Sequence, residues 1–231
     1  MADKKITALT QGIPVANDVF PYVSSPGASP VTQKTLYDNG GWIGAVGSWT
    51  YASATTITVP SGAATYYAVG DKIKLTQTTV KYFYVVTVAD TLLTITGGTS
   101  YTLTNAAITS PYFSHAASPV GHPGKFTYSP TISFTAGTAP NTVSTGVYYF
   151  SVHGNVCTLS TFTIYTNAGA TVTAATITLP ITHATGAQSA YGSVSVGATQ
   201  NLTLALVSGT LQLNCASVSA NRVIGGASYF I

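Results

Sequence analysis

The sequence predicts an all-β protein with three parts: an extended N-terminal arm (1–40), a small β domain (41–125) and a C-terminal, jelly-roll-like β-sandwich (126–231). Three observations predict it. Runs of strand length rich in Val, Ile, Thr and Tyr recur along the chain, and such residues fit a pleated surface. Gly and Pro clusters punctuate these runs at regular spacing, as in meanders and sandwiches. No window sustains the 3.6-residue apolar period of a helix.

The arm differs from the rest of the chain. Residues 1–40 hold three of the five acids and three of the eight bases, and Pro14, Pro21, Pro26 and Pro30 recur through them. Each proline fixes φ and removes a backbone donor. The apolar residues Ile6, Leu9, Val15, Val19, Phe20, Tyr22 and Val31, with Leu36, are too dispersed to form a core of their own. They fit an extended segment that anchors by packing on another protein. A short helical turn is expected near Thr32–Tyr37, before Asp38-Asn39-Gly40-Gly41 breaks the chain.

In 41–125, strands are expected at Thr55–Val59, Lys72–Leu75, Val80–Val88 and Leu92–Thr96, with a turn at Gly70-Asp71. One helical turn is expected at Thr104–Ser110, and His115–Gly124 reads as a closing loop. In 126–231 the candidates are Thr131–Thr135, Gly146–Val152, Val156–Thr166, Thr171–Leu179, Gly192–Val196, Asn201–Val207, Leu211–Ala216 and Ala227–Ile231. His153-Gly154-Asn155 is a tight hairpin signal between two of them. Asn167-Ala168-Gly169 is another turn. Eight strands of this length suit two stacked sheets.

Composition narrows function. Charged residues are 6% of the chain, against about 25% in ordinary globular domains. There is no glutamate, and beyond Asp90 the only charged side chains are Lys125 and Arg222. Disordered chains combine low hydrophobicity with high charge; here hydrophobic residues make up 45%. A surface built from Thr, Ser, Asn, Gln and Tyr suits packing against protein or contact with sugars. The net charge of +3 is scattered, which argues against nucleic acid as a partner. MADKKITALTQGIP has no apolar run after its lysines, so no signal peptide is expected. No apolar stretch is long enough for a membrane span, so no membrane insertion is expected.

Catalytic motifs are not found. Paired carboxylates are needed for glycosidase chemistry, and 126–231 has no carboxylate side chain. Asp71 and Asp90 each sit in or beside a turn signal, where Asp bonds its own backbone. Among the four histidines, His115, His122, His153 and His183, none belongs to a recognisable triad. Ordinary surface or hydrogen-bonded histidine is the plain reading of each. His115 and His122 alone are close enough to suggest a metal on a symmetry axis. Cys157 and Cys215 read as buried thiols, or else as a disulfide between paired strands. No enzyme activity, cofactor or metal is therefore expected.

Aromatics are the remaining signal, with 15 Tyr, eight Phe and two Trp. Adjacent strand residues point to opposite faces, so a cluster such as Tyr148-Tyr149-Phe150 cannot be wholly core. Tyr148, Tyr149, Tyr165 and Tyr191 are the candidate contacts to a partner surface, since Tyr offers large area with a polar tip.

Three blocks carry a family resemblance. KITALT…PVANDVFPYVSSPGASPVTQKT (Lys5–Thr35) resembles the opening of tailed-phage tail-fibre and head-fibre proteins. GSWTYAS…YYAVGDKIKLTQTTVKYFYVVTVADTLLTITGG…SHAASPVGHP (Gly47–Pro123) resembles a small β domain of phage fibre and receptor-binding proteins. GVYYFSVHGNVCTLSTFTIYTNAGATVTAATITLP with the final SYFI resembles their C-terminal sandwich. The resemblance implies a homotrimer on a virion, made in the host bacterial cytoplasm and without a cofactor. Its partners would be other virion proteins, of the tail or baseplate, and a host-surface glycan. The alternative it leaves open is a capsid decoration protein or head fibre bound to the major capsid protein. A stand-alone carbohydrate-binding module is a third reading. Trimerisation would bury much of the charge-poor surface.

Overall fold

The structure, a computed structural model, describes residues 21–22, 31–32, 40–137, 147–160, 162–164, 172–184, 191–196, 202–207, 209–218 and 222–231. Among these residues it is all-β, with antiparallel sheets throughout and no α-helix. Strands β1 (Pro21–Tyr22) and β2 (Val31–Thr32) form a two-residue pairing in which Tyr22 lies opposite Val31. Thr32, expected to open a helical turn, is thus in a strand. Ile6, Leu9, Val15, Val19 and Phe20 lie outside the described residues.

Seven strands come next along the chain: β3 (Ile43–Gly44), β4 (Thr50–Ser53), β5 (Thr56–Thr58), β6 (Lys72–Thr76), β7 (Val80–Ala89), β8 (Leu92–Thr96) and β9 (Thr109–Ser114). They form one sheet in the order β3-β9-β6-β7-β8-β5-β4. Period-two alternation gives it two different faces. Ile57, Ile73, Leu75, Phe83, Val85, Leu93, Ile95 and Phe113 point to one side and are buried. Trp49, Val59, Ala63, Tyr67 and Leu103, all outside the strands, close over them as a first core. Each large apolar side chain so buried contributes about 1.5–3 kcal/mol.

The expected helical turn at Thr104–Ser110 is corrected by this sheet. Gln77 is buried, and its side chain takes the backbone groups a helix would need. Its Nε2 donates to the Thr104 and Ala106 carbonyls, and its Oε1 accepts the Thr104 N–H. The chain then enters β9 with Ser110 at φ 47. The register shift between Lys74 and Thr76 falls opposite Ser110-Pro111, so the proline occupies a bulge where its missing donor costs little.

The remaining strands are β10 (Phe126–Tyr128), β11 (Ile132–Gly137), β12 (Tyr148–His153), β13 (Val156–Leu159), β14 (Phe162–Ile164), β15 (Val172–Thr178), β16 (Tyr191–Val196), β17 (Leu202–Val207), β18 (Thr210–Val218) and β19 (Arg222–Phe230). One sheet runs β10-β12-β13-β19, with β14 and β16 also paired to β19; the other runs β11-β15-β18-β17. The expected single strand Val156–Thr166 is two, β13 and β14, and both pair with β19 in sequence. The expected hairpin at His153-Gly154-Asn155 is present, with His153 opposite Val156 and Gly154 at φ 56. Asn167-Ala168-Gly169 lies outside the described residues. The final strand begins earlier than expected, at Arg222 rather than Ala227.

A second core joins these sheets. Phe126, Phe150, Val152, Cys157, Leu159, Ala227 and Tyr229 from one sheet meet Ile177 and Leu211 from the other. Tyr84 belongs to the same cluster, with Tyr82, Val86 and Tyr101 packed against it. The opposite face of the seven-stranded sheet therefore shares a core with strands beyond residue 125. Two glycines permit this approach. A Cβ on Gly70 would overlap the Gly154 carbonyl, and one on Gly98 would overlap the Thr127 carbonyl. Both have positive φ, which glycine adopts without cost. Thr99 N–H then bonds the Thr127 carbonyl at 2.8 Å, and Tyr84 OH donates to the Gly124 carbonyl at 2.6 Å.

Candidate functional site

Two surfaces collect the residues that sequence reasoning associates with contact. The first is the outer face of the sheet containing β12. Along β12 the side chains alternate strictly, with Tyr148, Phe150 and Val152 buried and Tyr149, Ser151 and His153 outward. Tyr148 is 6% exposed and packs on Tyr128 with ring centroids 5.9 Å apart. Its ring is core, and of the adjacent pair only Tyr149 faces out. Tyr149 lies opposite Thr127, and Lys125 Nζ sits 4.3 Å from its ring centroid. Hydroxyl pairs surround it, Ser100 with Thr127 at 2.6 Å and Thr158 with Ser228 at 3.0 Å. Tyr191 stands opposite Ser228 in register, so its backbone belongs to this sheet. Phe230 adds an exposed ring at the far side. Tyr165 lies outside the described residues.

The second surface is a groove of about 580 Å³ where the core between β7–β8 and the later strands opens to solvent. Its floor is the threonine face of the seven-stranded sheet: Thr87 lies opposite Thr94, and Thr96 opposite Tyr84. The register shift between Val85 and Thr87 adds a residue to β7 at this point, the usual way a strand re-aims side chains beside a site. Thr55 borders the floor, and Pro180–Ala184 with Ile231 form the opposite wall.

Hydrogen bonds fix that wall. Tyr229 OH donates to the Ile181 carbonyl at 2.8 Å, and Ala184 N–H to the Phe230 carbonyl at 3.0 Å. His183 Nδ1 meets the Ala184 carbonyl at 2.7 Å and must be the donor there. Its Nε2 accepts the Gly209 N–H at 3.2 Å. Both ring nitrogens are therefore engaged, Nδ1 as donor and Nε2 as acceptor. In this arrangement it can neither ligate a metal nor take a proton from a bound molecule.

Sequence reasoning missed this groove because its residues are ordinary strand threonines. The one available signal was the T-x-T alternation in Leu92–Thr96, which puts Thr94 and Thr96 on one face and Leu93 and Ile95 on the other.

Several other titratable groups are engaged in structure. Asp71 is buried; its carboxylate accepts the Ala68 N–H at 2.7 Å and meets His115 Nδ1 at 2.8 Å. No hydroxyl or thiol bonded to His115 completes a triad among the described residues. Asp90 accepts the Gly62 N–H at 2.7 Å. Burial lowers the pKa of Lys72, with Asp71 partly opposing the shift. Lys74 sits between the rings of Trp42 and Tyr112, 4.8 and 4.4 Å from their centroids, and burial lowers its pKa too.

His122 is enclosed by Trp42, Tyr82, Tyr84 and Phe126, with centroids 5.0–6.3 Å away. Desolvation there pushes its pKa down to about 4. His115 and His122 thus have separate surroundings, and no group of three metal-ligating side chains exists among the described residues. Cys157 is a free thiol, and burial raises its pKa to about 12, so it stays protonated and unreactive.

No family model, no curated protein and no solved structure matches this chain. The two surfaces are therefore judged on their chemistry alone. Both are rich in hydroxyls and apolar groups; Lys125 places a charged side chain on the outer face, and no charged side chain lines the groove.

Proposed function

We propose that this chain is a non-enzymatic structural protein on the surface of a tailed-phage virion, a short tail fibre or receptor-binding protein. The segment 1–40 anchors it to other virion proteins, and the β-sandwich of 126–231 is displayed toward a host-surface glycan. The observation that carries the reading is the chemistry of the displayed face. Tyr149 and the Thr and Ser hydroxyls around it make a contact surface with almost no charge. Such a surface dehydrates cheaply against sugars or protein. The resemblance of Gly47–Pro123 to phage fibre domains supplies the context. Asp71 and Asp90 both spend carboxylate oxygens on loop N–H groups, which supports the non-enzymatic part.

Homotrimerisation would cover apolar area that a monomer leaves in water, such as Phe230 and Val147. Weak contact at each tip would then gain strength from multivalency.

The deciding experiment is immunolabelled electron microscopy of particles carrying this chain. Label at the tail tip or baseplate supports the proposal. Label on the capsid face replaces it with a decoration protein or head fibre. Deleting residues 2–36 should remove the chain from particles while leaving a folded trimer; incorporation of the deleted chain would refute the anchoring role. Light scattering that returns a stable monomer would refute the trimer.

A further inference from the structure

We propose that the groove between the β7–β8 floor and the Pro180–Ala184 wall is a binding site for a neutral saccharide of one or two rings. A volume of about 580 Å³ falls within the range of small-molecule sites, about 300–1,000 Å³. No charged side chain lines the groove, so an anionic or cationic ligand would lose hydration without gaining a partner. What the lining offers is alternating hydroxyl and methyl.

The hydroxyls of Thr55, Thr87, Thr94 and Thr182 have no protein partner among the described residues. That of Thr96 accepts the Gly98 N–H. Val86, Ile181 and Ile231 supply apolar area between them. A pyranose presents the same two chemistries, hydroxyls at its rim and C–H groups on its face, and it carries no charge.

Both sides of the site are held in place before any ligand arrives. The floor belongs to a paired sheet, and the wall is tied by the Tyr229, Ala184 and His183 bonds, so little ordering entropy remains to be lost on binding. With His183 committed at both nitrogens and no Asp or Glu side chain in the lining, the groove holds a sugar without cleaving it. The inference rests on the attachment reading only for the biological source of the sugar; binding itself is measured without it.

The test is saturation-transfer NMR and calorimetry on the full chain, with methyl glucoside, methyl galactoside, N-acetylglucosamine and lactose as probes. At least one should bind, with amide shifts centred on Thr94–Gly97 and Ile181–Ala184, whereas N-acetylneuraminic acid should not. Joint replacement Thr87→Val and Thr94→Val preserves shape and β-propensity and should weaken binding about tenfold or more.

Absence of binding by all four sugars overturns the site. Shifts confined to the face around Tyr149 also overturn it, and this outcome is read on the unaltered chain. If a sugar binds in the groove but the chain is missing from virions, the groove stands and the attachment reading falls. A chain present in virions that binds no neutral sugar has the opposite meaning.

Discussion

Four rings hold the His122 imidazole neutral, and this makes acid a probe of the junction they build. Unfolded, the residue takes up a proton as pH falls through about 6.5; folded, it does so only near 4. The unfolded state therefore binds more protons between those values. The contribution of neutral His122 is whole above pH 6.5 and declines as pH falls toward 4. Lys72, whose charge also disfavours the imidazolium, acts in the same direction. The melting temperature should fall across that window, and His122→Phe, which fills the same cage, should flatten the fall. Comparing variant with wild type isolates the His122 effect; equal slopes would refute the assignment. At the groove wall, Tyr229→Phe deletes the donor to a buried carbonyl at Ile181. The expected cost is about 1 kcal/mol, or about 2–4 °C in melting temperature for a chain of this length. Neither role was legible in the sequence. His122 reads as a loop residue until Trp42, Tyr82, Tyr84 and Phe126, distant in the chain, are brought around it.

Strands were the legible part, for a physical reason. Where a strand has one buried and one wetter face, alternation is written in the residues. Leu92–Thr96 is read from LLTIT with matching bounds, and Lys72–Thr76 is read from KIKL one residue short. Alternation in Tyr148–His153 likewise separates Tyr148 from Tyr149 once the face is known. Illegible were the elements decided by a distant side chain. Thr104–Ser110 reads as a turn of helix because nothing local shows that Gln77 takes its backbone groups. Ile43–Gly44 and Phe126–Tyr128 are too short to show a period. Gly70 reads as a turn glycine, yet it also allows the Gly70-Asp71 turn to seat on the β12–β13 hairpin. Gly70→Ala should therefore cost more than a turn substitution alone. The left-handed φ contributes about 1–2 kcal/mol, and overlap with the Gly154 carbonyl adds to it. Thermal melting should drop by about 4–8 °C if the total nears 2 kcal/mol. A drop no larger than that of Gly62→Ala, where φ is also positive but no atom lies within 4 Å, would show that the contact is unimportant.

At the scale of the molecule, composition shifts near 125 suggest a boundary, while the packing runs across it. Tyr84 on β7 is buried with Phe126, Phe150 and Tyr128, and its hydroxyl bonds the Gly124 carbonyl. Burial at this shared core raises its pKa to about 12. Tyr101 meets Phe126 edge-on at 5.6 Å between centroids. Cutting at 125 would leave Phe126 and Phe150 facing water on one piece and Tyr82, Tyr84 and Tyr101 on the other. These rings have too little charged surface around them to keep either piece soluble. The described sheets should therefore unfold together. Calorimetry of the full chain should show one main transition, and a 126–231 fragment should melt well below it or aggregate. Tyr84→Ala should lower that transition by about 6–20 °C, since removing a buried aromatic side chain costs about 3–5 kcal/mol. Two separate transitions, with only the earlier one moved by Tyr84→Ala, would instead mean that each part carries a core sufficient for itself. The shared aromatic cluster would then be a docking contact between independent units.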